Sequence, residues 1–376
     1  MTYLDHASTT HLHPAARAAM ADAPWADPTR LYREARRSRI ALDAARERCA
    51  TAIGARPDQV IFTSGGTEAN LLAIRGGVRA ALAARRPPRV IVSAIEQSSI
   101  LRAVEALEVE VVTLGVDDQG LIATEDLRSA LEDGACLVSV QVANGEIGTL
   151  QAVSELASIT SDQRTWFHAD ATFAVGWIGI DVGALGIDLL TVSGHHAMGP
   201  KGTGFLWAGR GVRLRPEMIG DEREHRTRSG MPSLEALIGL GAALEARARE
   251  VDSDAPRMRQ ITKHLRDRLP VVLGEVLVHG HPEQRLPHIV SFTIPLVEGE
   301  ALLLGLDEAG FSVHSGSACV ADTNEPSHVL AAIGTLTHGA IRVSIGPETS
   351  LADIDAFLAA LGLVADQAKT RLRGRR

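Results

Sequence analysis

The sequence predicts an α/β protein: a mostly parallel sheet between helices, joined to a smaller α+β part. Three observations carry this. From Val60 onward, short apolar runs alternate with amphipathic helix-like stretches, as in βα units that pack into a parallel sheet. Polar residues follow those runs directly, at Asn144, Asp170 and residues 193–196, where the carboxyl ends of parallel strands share an edge. Around Pro232 the alternation gives way to two long helix-like stretches and a more β-rich remainder. Residues 14–232 are therefore read as the large domain, with 1–13 and 233–376 as the small one.

The bulk numbers bound the function. With 376 residues, 45% of them hydrophobic, the chain can bury a sizeable core. A net charge of −8 and a pI near 6.0 point away from general nucleic-acid binding. No apolar run approaches the roughly 18 residues that a membrane span requires, and the N-terminus lacks a basic-then-apolar signal pattern. Three scattered cysteines, Cys49, Cys136 and Cys319, fit a reducing cytoplasm rather than a disulfide framework.

Each element has its own signal. His6, His11 and His13 crowd the first residues, but no acid or Cys lies at ligand spacing. This segment reads as an ordered arm, with no metal site expected. Pro14 opens a helix. Residues 31–53 form a long amphipathic helix with Ile40, Ala44, Cys49 and Ile53 near one face. A strand at 60–63 breaks at Ser64-Gly65-Gly66-Thr67-Glu68 and leads into a helix to about Arg85. Such a turn presents backbone N–H groups and a helix dipole to an anion. Strands are then expected at 89–94, 109–116, 136–142, 165–169 and 187–192. Helices are expected at 99–107, near 129–132, and later at 233–250 and 258–268. Small-domain strands are placed at 272–279, 289–294, 311–314 and 340–345.

Two polar stretches stand out. TVSGHHAMGPKGTG, at 191–204, crowds Ser193, His195 and His196 at the end of a buried strand. HSGSACVADTNEPSHVL, at 314–330, sets Cys319 among Gly, Ser, Asp and Asn. That composition predicts an exposed loop. A cysteine so placed is read as functional, given that something favours its thiolate.

Together these stretches resemble the cysteine desulfurases of the NifS/IscS type, class V aminotransferase-like proteins on the fold-type-I pyridoxal phosphate (PLP) scaffold. YLDHASTT, FTSGGTEAN, ANGEIGTLQ, HADAT, SGHHAMGPKGTG, RSGMP, SGSACV, EPSHVL and IRVSIG occur in the family's order. In that family PLP is held as a Schiff base to a lysine, and a loop cysteine takes the substrate sulfur as a persulfide for a scaffold or acceptor protein. The resemblance implies that Asp170 pairs with the pyridine nitrogen. It also implies that Gly66, Thr67, Ser193 and His195 hold the phosphate. Asn144 and Arg342 would meet the substrate carboxylate, for which a bidentate Arg is suited. Cys319 would be the nucleophile. The family's habit implies a homodimer.

Other positions depart from the pattern. His196 stands where the Schiff-base lysine belongs, and imidazole cannot take that role. Gln97 replaces a ring-stacking histidine, Phe173 a glutamine, and Met231 a threonine that reaches the phosphate across the dimer. Asp221 and Glu222 replace glycines and would repel the phosphate. Lys201 belongs to the GPKG turn and is expected to point away from the site. Covalent PLP is therefore not expected; the cofactor is either none, or PLP or pyridoxamine phosphate (PMP) held non-covalently. Three readings follow. The chain is a sulfur carrier or assembly partner using Cys319, an enzyme with His196 as general base on a non-covalent cofactor, or a structural or regulatory pseudoenzyme.

Overall fold

The computed structural model describes residues 1–161, 165–315 and 326–373. In chain order its strands are Thr2–Tyr3 (β1), Val60–Thr63 (β2), Arg89–Ser93 (β3), Glu110–Leu114 (β4), Leu137–Ser139 (β5) and Trp166–Asp170 (β6), then Leu189–Ser193 (β7), Gly204–Ala208 (β8), Leu277–His279 (β9), Ile289–Thr293 (β10), Phe311–Ser312 (β11) and Ala340–Ser344 (β12). The main sheet has seven strands in the order β2-β8-β7-β6-β5-β3-β4. Strands β4, β3, β5, β6 and β7 run parallel, and β8 is antiparallel to both its neighbours. Strands β5, β6 and β7 are buried along their whole length, which is why they read as mostly apolar runs rather than alternating ones.

Sequence reading missed β8, because it follows the glycine-rich turn without a break in composition. Its Gly204 is required by crowding: a Cβ there would stand 2.8 Å from the Gly65 backbone. The sheet therefore draws the turn before helix Gly66–Leu71 against the end of β7.

Helix Arg33–Thr51 buries Ala35, Ser38, Leu42, Ala45 and Cys49. Ile40, expected on that face, is 70% exposed. Small side chains win the core face because the helix packs closely on helix Leu234–Leu273: a Cβ on Gly241 would lie 2.9 Å from the Ala45 carbonyl oxygen.

The two helices expected after Pro232 are one, Leu234–Leu273, of 40 residues. At 1.5 Å per residue it is about 60 Å long. Pro256 removes one backbone donor but does not end it. Buried Val251 and Ala255 continue the apolar face past the break point. Arg247 adds ion pairs to Glu250 and Asp254, each at 2.7 Å. The helix carries Leu237, Leu240 and Leu244 into the core beneath the main sheet, and Met258, Leu265 and Leu269 into a second core with Phe292, Ile341 and Phe357. It also absorbs residues 272–273, so the strand expected at 272–279 shrinks to β9.

The second core lies under a three-stranded antiparallel sheet, β12-β10-β9. The N-terminal arm joins it: β1 pairs with β11, Leu4 is fully buried, and Ser344 donates to the Leu4 carbonyl at 2.8 Å. Among the described residues no helix is long and apolar enough to cross a membrane.

Candidate active site

Strands β6 and β7 end side by side, with Asp170 paired in register to Thr191. This sets Asp170 and Ser193 on one edge of the sheet. Helix Gly66–Leu71 starts against the same edge; a Cβ on Gly66 would lie 2.9 Å from Thr172 Oγ1 and 3.2 Å from Ser193 Cβ. Only glycine permits that approach, and it is what brings the glycine turn and the 191–204 stretch together.

Between them lies a cavity of about 360 Å³, its wall including Thr9, Gly66, Thr67, Ser193, His195 and Lys201. Lys201, expected to point away, shares this wall. Its position follows from the tight turn after β7, which returns the chain beside His195. Burial and the Lys201 charge hold His195 below its ordinary pKa. Glu68 also reaches the cavity, but Arg228 pairs with it at 2.9 Å and Ser64 N–H donates to it at 2.7 Å. The cavity thus combines hydroxyls, a helix start and a free-reaching cation, a set suited to an anionic group.

Asp221 and Glu222, expected to oppose an anion here, lie elsewhere. They line a separate cavity of about 590 Å³ with Pro28, Arg39 and Arg46. Each already has a cation, Arg223 at 2.7 Å and Arg226 at 2.6 Å.

Asp170 is the inner end of the site. Its carboxylate accepts from Asn70 Nδ2 and from the Thr172 N–H, both at 2.8 Å. Asn70 also donates to Ser99, whose hydroxyl donates to Gln97 at 2.6 Å. Burial pushes the Asp170 pKa up. Glu96 is fully buried nearby with neither carboxyl oxygen hydrogen-bonded. Burial, and then the charge of Asp170, push it up to about 8. Two carboxyls so close in a dry site disfavour double ionisation. Asn70, at the end of FTSGGTEAN, and Glu96, next to Gln97, received no role from sequence; polar residues at positions that must be buried were the available signal.

His196 lies next to His195, their rings 3.9 Å apart, and 4.7 Å from the Phe173 ring. Trp177 Nε1 donates to the His196 carbonyl at 2.7 Å, which fixes the backbone of this turn. Its Nδ1 is buried with no hydrogen-bond partner. Burial, then the charges of His195 and Arg342, drive its pKa well below the ordinary value, so the ring is neutral. Phe173 also presses on Gly145, where any Cβ would collide with the ring.

Arg342, on β12, donates to the Gly145 carbonyl at 3.0 Å, to Asp5 at 3.0 Å and to Ser8 at 2.8 Å. Asp5 therefore already occupies part of the fork that the resemblance reserves for a substrate carboxylate. Asn144 is committed to its own turn: its oxygen accepts from the Glu146 and Ile147 N–H groups, and its nitrogen donates to the Ile95 carbonyl.

Cys319 lies outside the described residues. The chain on either side of its loop is anchored here: His314 exchanges backbone bonds with Arg342, and Ser327 Oγ donates to Glu146 at 2.8 Å. His328 Nε2 meets the Glu96 carbonyl at 2.9 Å.

Comparison with known proteins adds the following. The profile of the family "Aminotransferase class-V" matches residues 2–357. The cysteine desulfurase IscS of Dictyoglomus turgidum is 36% identical over 377 residues, covering 98% of this chain and 95% of the relative. The cysteine desulfurase IscS of Methanosarcina thermophila is 36% identical over 366 residues, covering 95% and 90%. A solved NifS-like protein from Rickettsia africae superposes with a TM-score of 0.88 at 28% identity, over 97% of this chain and 99% of the other.

Proposed function

The chain belongs to the class-V aminotransferase family, in its IscS/NifS-type cysteine desulfurase group, and from that premise we propose that it transfers sulfur through Cys319 without a lysine-anchored cofactor. One observation carries this reading. At the position of the anchoring lysine stands His196, a buried neutral imidazole held between His195 and Phe173. It has no primary amine to offer an aldehyde.

The chain's other thiols support the same conclusion. Cys49 and Cys136 are buried, and burial pushes them up to about 12 and about 11. Thiols of that kind are inert at neutral pH. This supports Cys319, which the resemblance puts at the nucleophile position, as the working thiol. Its thiolate would attack the outer sulfur of a donor persulfide; the donor's thiolate leaves, and Cys319 carries the sulfur on to an acceptor or scaffold protein.

Two ends of the pocket suit a phosphate-bearing pyridine and two do not. Gly66, Thr67, Ser193, His195 and Lys201 suit the phosphate, and Asp170 suits a protonated ring nitrogen. His196 and Phe173 replace the groups that would fix the aldehyde and the phenolic oxygen. PLP or PMP held there non-covalently would supply an electron sink, which is the basis of a second reading with His196 as proton carrier. Against it, burial drives the His196 pKa well below neutrality, and a base is most effective with a pKa near the working pH.

Spectra and intact masses of the purified protein, with PLP, with cysteine and with a small-molecule persulfide, test the proposal. The expected result is no chromophore after desalting, background sulfide release from cysteine, and one added sulfur after persulfide treatment that Cys319→Ser abolishes. Turnover of cysteine to sulfide with added PLP would overturn it. A saturable PMP or PLP spectrum would move the assignment to the second reading.

We also infer a homodimer. Trp25, Leu31, Ile40 and Ile219 are 78%, 86%, 70% and 89% exposed. Each lies within three residues of one that lines the 590 Å³ cavity. Large apolar side chains left in solvent around one cavity support a contact surface between two copies. Ile40→Asp is expected to shift the protein from dimer to monomer in light scattering after size exclusion; an unchanged mass would remove this surface from consideration.

A further inference from the structure

The arm histidines, which lack an acid at sequence spacing, gain one in space. Glu348 arrives from the turn after β12. His6 Nε2 stands 3.0 Å from Glu348 Oε1, and His11 Nδ1 stands 3.5 Å from the same oxygen. The three ligand atoms all lie within 4.8 Å of one another.

The hydrogen bonding of His6 sharpens this. Its Nδ1 faces the Ser344 carbonyl oxygen at 3.2 Å. A carbonyl only accepts, so the proton of a neutral ring sits on Nδ1. Nε2 then points a lone pair at a carboxylate. Two acceptors 3.0 Å apart repel unless a cation lies between them or on the ring. A proton on His6 answers that contact alone; a metal ion answers the lone pairs of His6, His11 and Glu348 together. A backbone carbonyl on the far ring nitrogen is also the usual support of a metal-bound histidine.

The surroundings are built for close approach. A Cβ on Gly346 would collide with His6 Nε2 and with Glu348. The His6 side chain is fully buried while those of His11 and Glu348 are 66% and 55% exposed. One ligand is thus preorganised, and the other two leave access from solvent.

We propose that His6, His11 and Glu348 bind a divalent transition-metal ion of the zinc class, with its remaining position open to water. Two imidazoles and one carboxylate are a borderline-soft set that suits zinc over calcium or magnesium. The ion ties the N-terminal arm to the turn after β12. That arm delivers Asp5 and Ser8 to Arg342, and Thr10 to the His195 carbonyl. Occupancy of this site therefore tightens the candidate active site without taking part in it. The inference is independent of whether a cofactor binds.

Full-length protein, stripped with a chelator and desalted, would be titrated with Zn²⁺ by calorimetry and with Co²⁺ by visible absorption. One ion per chain is expected. His11→Ala and Glu348→Gln, at exposed positions that the fold tolerates, should each weaken Zn²⁺ binding by about tenfold or more. His13→Ala, whose ring pairs with Glu250 instead, should leave it unchanged. No saturable uptake, or uptake that survives both His11→Ala and Glu348→Gln, overturns the site and assigns a proton to His6.

Discussion

Replacing His196 with lysine is expected to give a protein that retains PLP covalently through desalting and borohydride reduction, where the natural chain retains none. The backbone at this position is already fixed by the Trp177 bond to the His196 carbonyl. The cavity lined by Gly66, Thr67, Ser193, His195 and Lys201 is in place beside it. A lysine here would be buried beside His195 and Arg342, and both burial and like charge favour its neutral, nucleophilic amine. Phe173 is the remaining obstacle, since its ring lies 4.7 Å from that of His196. His196→Lys with Phe173→Gln should therefore hold the cofactor better than His196→Lys alone, by about tenfold or more, the effect of a single good polar contact. Covalent retention by the natural chain, through Lys201 in the cavity wall, would show that the anchor had moved rather than been lost.

Glu96→Gln is expected to make the protein more stable at alkaline pH and to flatten its stability profile between about pH 5 and 8. Glu96 is wholly buried, and its folded pKa of about 8 lies above the ordinary 4.5. In that window the folded state holds a proton that the unfolded state has released. Stability from this group is therefore fully present at the acid end and is lost as pH rises to about 8. Beyond that it stays at its lowest. At 1.36 kcal/mol per pKa unit the swing is on the order of 4 kcal/mol. Glutamine has nearly the same shape and never ionises, so it should melt at a higher temperature than the natural protein at pH 9 and close to it at pH 5.5. Parallel melting profiles for the two proteins would show that Glu96 is ionised throughout. The prediction also bears on the pocket. Burial raises Asp170 as well, so removing the Glu96 charge also relieves its neighbour.

Much of the fold was legible because burial leaves a local mark. Strands β5, β6 and β7 are covered on both faces, so their residues are mostly apolar, with His168 and Thr191 bonded to each other inside the sheet. The polar residues that end β6 and β7, Asp170 and Ser193, located the sheet edge. The 191–204 stretch was legible for a different reason: a glycine turn after a buried strand has few uses, and His196 at the lysine position is a difference of residue type, visible without coordinates. Local signals failed where packing partners are distant. Ile40 fits an apolar stripe as well as Leu42 does, and only the close approach of helix Leu234–Leu273 decides which of them is covered. Pro256 reads as a helix break, and only buried Val251 and Ala255, with the Arg247 ion pairs, carry the helix through it.

The sequence by itself determined the class of fold, the edge on which the site lies, and the histidine at position 196, because each depends on residue type and short-range periodicity. Tertiary structure alone decided which groups meet. It turned Lys201 into the wall of the anion cavity, set Asp5 against Arg342, and brought Glu348 to His6 from 342 positions away. Such contacts depend on how the arm, the turn after β12 and the sheet edge pack together, and no spacing along the chain encodes a distance across it.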